Sequence, residues 1–550
     1  MRARLCFGVM ATGSQSLLFR AYFSAFAGHL LCVGLFFAMA CFWVAVGLWW
    51  RRRREDLPRR SHPQLSQSLL LFIPALCLAY LGIVSARPLL ALTGLALLSL
   101  PSLLLWTLVV TAPVSLVTGG VWSELARASE EQGSPPVSCF DLWLGAGAVL
   151  GGCVIAGLFH LKIGILGALL IFAALLCLAV PGISGSSRVQ KACLTLVSVL
   201  LLAAMTVGQK QGFWLDWDGR IQWGQWETQG HYQSAFQTAR AEYLLGRHED
   251  RWWVVREGRR CESIGDLDQA GQWAALGLCQ NPGTQRVLIV GEGYALSERF
   301  LSLPGISTVD WFHSDPHYVA ALRERLPASL QLHDERFSAL SDPLAVELLR
   351  RPEYYDIVFF NIEPLRDPAH AHYLTAEFLE GVKAALSYGG MVIMKLPDAR
   401  TTSSDAQTYW SAQLTQTFDR LYNQVLLAPG ESTFLLAANL NFLKNWSVAL
   451  QGRFLTVEQG TKLFPDGNWE SLYHPSQAMT LLSDYRELDC PRVGLASSQN
   501  LSLSLMPSLV MTANASDVSL LSPLLRGIEK ASGFNSPAPT GSSHGTPGVS

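Results

Sequence analysis

Hydrophobic and polar positions divide this chain into two regimes. Up to about residue 208 apolar residues run almost without interruption. The stretches 27–50, 68–86, 97–119, 142–160, 163–181 and 192–208 are each close to the ~20 apolar residues needed to cross a bilayer. Residues 5–23 are also apolar but contain Gln15 and Arg20. That pattern predicts either a span with a polar inner face or an interfacial helix. From residue 209 the apolar runs shorten and alternate with polar segments. Ser234 to Arg240 and Trp252 to Glu257 are β-rich and are followed by a hairpin-like Glu257-Gly258 turn, which predicts a small β-subdomain. Residues 286–440 then alternate strand and helix. Strands are predicted at 287–290, 308–312, 329–333, 356–360, 390–395, 421–427 and 433–438, with helices near Pro316 to Leu326 and Leu374 to Leu386. This alternation predicts a doubly wound α/β sheet. The last two strands are joined only by Ala428-Pro429-Gly430-Glu431, too short for a crossover helix, so they must form an antiparallel hairpin.

The domain organisation that follows is a multi-pass α-helical membrane domain over 1–208, a juncture with a small β-subdomain over 209–285, and a Rossmann-like domain over 286–490. An extension covers 491–530, and a Ser-, Gly-, Pro- and Thr-rich tail over 531–550 is predicted to be disordered. Composition sharpens this picture. Half of the 550 residues are hydrophobic and only 15% are charged, as expected when a large part of a chain faces lipid. A net charge of -2 argues against a general nucleic-acid binder. Eight of the eleven cysteines lie in the apolar half. Cys261, Cys279 and Cys490 are widely separated and form no CxxC pair, so neither a disulfide framework nor a zinc site is expected.

The run Arg51-Arg52-Arg53-Arg54, with Arg59 and Arg60, is placed in the cytoplasm by the positive-inside rule. Five further spans would then put the residues after 208 on the outer side, and one span fewer or more reverses this. Trp214, Trp217, Trp223 and Trp226 suit either an interfacial collar or the packed edge of the next domain.

The chemistry-bearing residues fall at strand ends. In doubly wound sheets ligands sit beyond the carboxyl ends of the strands. The first strand, Val287-Leu288-Ile289-Val290, leads into Gly291, Glu292, Gly293 and Tyr294. The second delivers His313 and Asp315, the third His333 and Asp334, and the fourth Asn361 and Glu363. The glycines would let a ligand approach the backbone, and a polar group at the second strand's tip can reach a ribose. His370 and His372 form an HxH pair at a helix start, and no metal site is expected from it.

In this order the motifs resemble the spermidine synthase-like aminopropyltransferases, over about residues 230–490. VLIVGEGYAL resembles the family's glycine-rich loop and HSDPHYV the acid at the end of strand two. LHDERFSAL resembles the segment that reads adenine. YYDIVFFNIEPLRDP begins the stretch that runs from the catalytic acid to strand five, and REGRRCES resembles the turn of the N-terminal β-domain. The apolar half resembles membrane segments fused to such domains in bacterial proteins. The resemblance implies an S-adenosylmethionine-dependent-transferase-type sheet and a place in the bacterial inner membrane. It also implies transfer of an aminopropyl group from decarboxylated S-adenosylmethionine, as substrate rather than bound cofactor, to a polyamine, and it allows a homodimer. Gly291, Glu292, Gly293, His313, Asp315, Asp334 and Glu363 become the expected ligand-binding residues, and Asn361 stands at the family's catalytic aspartate. The departures are specific. Tyr294 stands near the loop's aspartate, His313 replaces the ribose-binding carboxylate, and Asn361 can neither accept a proton nor attract an ammonium. The alternative is therefore a catalytically inactive relative that binds a nucleoside or polyamine and serves the membrane part as a regulatory or interaction domain.

Overall fold

The computed structural model describes residues 2–26, 30–53, 65–90, 100–131, 138–161, 163–179, 188–210, 212–226, 230–238, 240–256, 259–362, 368–396, 405–430, 432–464 and 469–488. Two compact units are present, Met1–Ser263 and Ile264–Ser550.

The first unit opens with helices α1 (Arg2–Ala25), α2 (Leu30–Arg53), α3 (Leu65–Leu70), α4 (Phe72–Leu89) and α5 (Leu100–Glu131). Then follow α6 (Ser138–His160), α7 (Ile165–Ala179), α8 (Arg188–Lys210) and α9 (Phe213–Trp226). Among the described residues, five segments are long and apolar enough to cross a membrane: Cys32–Arg53, Ser68–Leu89, Pro101–Arg127, Leu142–His160 and Arg188–Gln209. The stretch expected to span at 163–181 forms α7, with 15 residues. Helix α1 buries Leu17 and Tyr22 completely. Its backbone touches that of α6: a Cβ on Gly147 would lie 2.3 Å from the Leu5 carbonyl oxygen. Small residues at such a crossing let helices approach closely enough to gain dispersion contacts, the usual glue of helices in an apolar solvent.

The Trp-rich juncture is helical. Trp223 and Trp226 are buried while Trp217 is half exposed. Trp223 packs with Ala235, Leu244, Trp253 and Val255 on a four-stranded sheet. Its strands are β1 (His231–Gln237), β2 (Glu242–His248), β3 (Arg251–Arg256) and β4 (Arg259–Ile264), in that spatial order, with β1–β2 and β2–β3 antiparallel. The sequence pattern located β1 and β3 but not β2. The Glu257-Gly258 turn lies outside the described residues.

The second unit runs α10 (Leu267–Leu278), β5 (Arg286–Gly291), α11 (Tyr294–Leu301), β6 (Thr308–Phe312), α12 (Tyr318–Arg323), β7 (Phe337–Leu340), α13 (Leu344–Arg350) and β8 (Tyr355–Asn361). It continues with α14 (Ala376–Ala385), β9 (Leu386–Lys395), α15 (Asp405–Leu421), β10 (Gln424–Pro429) and β11 (Thr433–Ala438), and ends in α16 (Ser447–Phe454), α17 (Trp469–Leu472) and α18 (Pro475–Glu487). The seven strands lie in the order β10-β11-β9-β8-β5-β6-β7. β5 to β9 pair in parallel, and β11 runs antiparallel to both β9 and β10. The predicted hairpin is therefore present, with Pro429 opposite Thr433. This mixed sheet, reversing its winding between β5 and β8 and closed by an antiparallel hairpin, is the Rossmann-like transferase-type arrangement. Val287, Leu288, Ile289 and Val290 are all but fully buried, as a central parallel strand requires.

One strand differs from expectation. The third strand is β7 at Phe337–Leu340, not 329–333, where Ala328–Leu330 makes a 3₁₀ turn instead. Phe337 takes the place beside Val309, and the Val309 amide donates to the Arg336 carbonyl at 2.8 Å. His333 and Asp334 consequently precede the strand rather than extending from its carboxyl end.

Candidate functional site at the strand ends

The winding reversal between β5 and β8 puts the glycine turn against the end of β8. Gly291 pairs with Asn361 in the parallel register. Its φ of +99° is the left-handed backbone that suits glycine, and a Cβ there would sit 2.2 Å from the Asn361 carbonyl oxygen. The Glu292 amide donates to that same oxygen at 3.0 Å. In return Asn361 Nδ2 donates to the Glu292 carbonyl at 2.6 Å. The side chain at the expected catalytic position thus holds the glycine turn in place. Only a side chain with a hydrogen-bond donor can do this. A carboxylate would set oxygen against oxygen.

Gly293 closes the turn. It begins α11, and its carbonyl accepts from the Ser297 amide at 2.8 Å and from Ser297 Oγ at 2.7 Å. The space beside the turn is filled by aromatic side chains. Trp311 of β6 is fully buried and donates from Nε1 to the Gly291 carbonyl at 2.7 Å. Tyr294 is fully buried edge-on to Trp311 and donates to the Leu330 carbonyl. Tyr318 stacks on His313, ring centres 4.1 Å apart.

The expected ligand-binding residues divide. Gly291, Glu292, Gly293, His313, Asp315 and Asn361 gather at the ends of β5, β6 and β8. His313 is buried, and its Nδ1 receives the Asp315 amide at 3.1 Å. Asp315, 1% exposed, accepts from the His317 amide at 3.1 Å and so braces the chain as it turns into α12. Glu292 is half-buried on the turn. Asp334 does not join them. Both its oxygens are bound by Arg336, with Nε at 2.9 Å and 3.1 Å and Nη2 at 2.6 Å. Arg336 also donates to the carbonyls of Leu303 and Ile306 at 2.9 Å each and to that of Leu301. This hydrogen bonding to Arg336 holds the Asp334 carboxyl below the ordinary carboxylate range. The pair fastens the segment before β7 to the end of α11. Glu363 lies outside the described residues.

His370 is shared with Ser314 at 3.1 Å, and His372 lies against Tyr373 with ring centres 3.8 Å apart. Among the described residues no group of three or more His, Cys, Asp or Glu is placed to hold a metal ion. Sequence reasoning missed the roles of Trp311, Tyr318 and Arg336. The i, i+2 spacing of Trp311 and His313 on one strand face was the available signal for the aromatic filling.

No family model and no curated protein matches the chain. Among solved structures, spermidine synthase from Thermotoga maritima is similar at 13% identity and TM-score 0.36, covering 46% of this chain and 88% of that one. A probable spermidine synthase from Corynebacterium glutamicum is similar at 12% identity and TM-score 0.33, over 43% of this chain and 93% of that one. Human methyltransferase-like protein 13 in complex with SAH is similar at 17% identity and TM-score 0.28, over 36% of this chain and 92% of that one. Strand order and register, rather than these distant likenesses, define the fold.

Proposed function

We propose that the chain is a membrane-anchored protein whose α/β unit, spermidine synthase-like in its motifs, carries out no aminopropyl transfer and acts as a binding or regulatory domain for the membrane part. The observation that carries this reading is the 2.6 Å hydrogen bond from Asn361 to the Glu292 carbonyl. Aminopropyl transfer forms a C–N bond to a neutral amine, breaks the C–S bond of a sulfonium and hands the amine's proton to a base. Carboxylates are needed to hold the cationic amine and to take that proton. An amide does neither, and this one already spends its donor on the backbone. Asp315 and Asp334 are likewise engaged with the His317 amide and with Arg336. Membrane anchoring draws its support from the five apolar helices of spanning length.

A second reading keeps the transferase activity, with decarboxylated S-adenosylmethionine as donor and a polyamine as acceptor. Glu292 favours it: a half-buried carboxylate rides on the glycine turn at the place where the winding reverses. The two readings separate in one experiment on the full chain in detergent. Calorimetric titration with S-adenosylmethionine and its decarboxylated form is paired with a product assay using putrescine. The expected result is no turnover, whether or not a nucleoside binds. Turnover that disappears in Glu292→Gln would overturn the proposal.

A further inference from the structure

A second cluster of acids lies within the first unit, where α9 packs on the β1–β2 hairpin. Gly219 of α9 sits so close to β1 that a Cβ there would lie 3.0 Å from the Ala235 Cβ. Its neighbour Asp218 is 1% exposed, and Glu242 at the start of β2 is 9% exposed. Glu242 is directly opposite Gln237 in the antiparallel register, and Gln237 is 5% exposed. Opposed residues in such a ladder project to the same face.

Three acceptor oxygens in this cluster are buried without a hydrogen-bond partner among the described residues: Asp218 Oδ2, Glu242 Oε1 and Gln237 Oε1. The other ends of two of these groups are engaged. Tyr80 of α4 donates to Asp218 Oδ1 at 2.8 Å, and Gln237 Nε2 donates to the Phe159 carbonyl of α6 at 3.4 Å. Gln222 and the Ile165 amide also favour the charged form of Asp218. The positive group acting on both carboxylates is Arg20 of α1, whose guanidinium lies 4.0 Å over the Phe159 ring. Nearby, Asp216 accepts from Tyr232 of β1 at 2.9 Å, and Arg220 lies 5.9 Å over the Tyr232 ring. One arginine against two buried carboxylates leaves one negative charge uncompensated. Buried charge and orphaned acceptors are both costly, and one cation relieves both.

We propose that Asp218, Glu242 and Gln237 form a binding site for a small monovalent cation, an alkali-metal or ammonium ion, inside the first unit. Three acceptors and one surplus charge match such an ion. A divalent ion would want about six or more oxygen ligands, and its two positive charges would exceed the one surplus negative charge beside Arg20. Without a bound cation Glu242 keeps its proton to higher pH than usual. Burial first, and Asp218 second, push Glu242 up to about 8 against the pull of Arg20, and burial likewise raises Asp218. A cation must displace such a proton, so binding strengthens as pH rises. Apparent affinity is expected to be about tenfold weaker one unit below pH 8 than one unit above it, with the midpoint at about 8.

The test is thermal melting of the full chain in detergent at constant ionic strength and a pH above the midpoint. Choline chloride is replaced stepwise by sodium, potassium or ammonium chloride. At least one small cation is expected to raise the melting temperature saturably by about 2–4 °C. Asp218→Asn and Glu242→Gln should abolish that rise. An equal rise in wild type and both variants would be a general salt effect and would overturn the proposal. So would a melting point that follows pH but ignores every small cation, since the pair would then hold only protons. Proton release from the wild type on adding the effective cation at a pH below the midpoint, where Glu242 still holds its proton, absent with choline, tests the site even where a variant fails to fold. No release would also overturn it.

Discussion

Two aspartates in this chain are equally buried and differently served. Asp310, in the middle of β6, and Asp218, in α9, are each 1% exposed. Each accepts a tyrosine hydroxyl, Tyr355 at 2.9 Å for Asp310 and Tyr80 at 2.8 Å for Asp218. Asp310 also has an ion pair with Arg351, which donates to Tyr355 as well at 2.9 Å. Burial still raises the Asp310 pKa, and Tyr355 and Arg351 pull it back. Asp218 has no such ion pair among the described residues, and instead it presses on a second raised carboxyl, Glu242. The same contrast separates Asp218 from the strand-end site, where Asn361 and Asp315 are each engaged by the backbone. A buried polar group whose partners come from its own fold reads as structure. One whose partners are missing reads as a place for something the fold does not supply.

The comparison breaks most directly at Arg351. Arg351→Met should cost about 3–5 kcal/mol, because it leaves the Asp310 charge buried with only a tyrosine. Adding Asp310→Asn should recover most of the loss, since the charge goes with its partner. The readout is denaturant unfolding of the full chain, followed at the α/β unit. A harmless Arg351→Met would mean that buried charge is cheap here, and the orphaned oxygens of Asp218 and Glu242 would then carry no message.

Asn361→Asp creates an orphan where none exists. It removes the donor to the Glu292 carbonyl and puts an oxygen in its place, at a cost of about 1–3 kcal/mol. Hydrogen exchange at the amides of Glu292 and Ser297 should accelerate, because the turn loses its tie to β8. If Asn361 were instead a lesion in a working transferase, the same change would raise activity and leave the turn intact. One variant therefore tests the structural account of this residue against the catalytic one.

How far the sequence reached can be judged at these residues. The β-branched run at Val287 and the short Ala428-to-Glu431 link gave the central strand and the closing hairpin, because burial on both faces and loop length are local signals. The gathering of His313, Asp315 and Asn361 at the strand ends followed from the same alternation. Strand β7 was displaced because LQLH and FSAL are equally short segments of mixed apolar and polar residues. What decides between them is register: Phe337 opposite Val309, and the Arg336 carbonyl bound by the Val309 amide. Strand β2 was hidden by Gly246, a poor strand former in isolation. In the fold the Trp223 ring occupies the space its side chain would fill. From the sequence Asn361 is read as unable to accept a proton. Its actual partner, a main-chain carbonyl 69 residues earlier, leaves no trace in composition or spacing. The Asp218–Glu242 cluster was missed for the same reason, since its members come from α1, α4, α6, α9, β1 and β2.

The smallest expected effect sharpens the comparison from the other side. Asp218→Asn keeps Oδ1 for Tyr80 and removes a buried charge, and its new amide donor can serve an orphaned acceptor nearby. At neutral pH and without a bound cation it should change stability by no more than about 1 kcal/mol, with the gain outweighing the loss. The pH dependence adds a sign. A carboxyl raised in the folded state holds a proton that the unfolded chain releases, so wild-type stability falls as pH rises from Glu242's ordinary 4.5 towards about 8. Removing the Asp218 charge takes away one of the causes of that shift, so the decline should become shallower and end at lower pH. Melting curves of both proteins across that range measure it. A loss of several kcal/mol in Asp218→Asn, with an unchanged slope, would mean that the fold already compensates Asp218 as fully as Arg351 compensates Asp310. The two aspartates would then differ in location only.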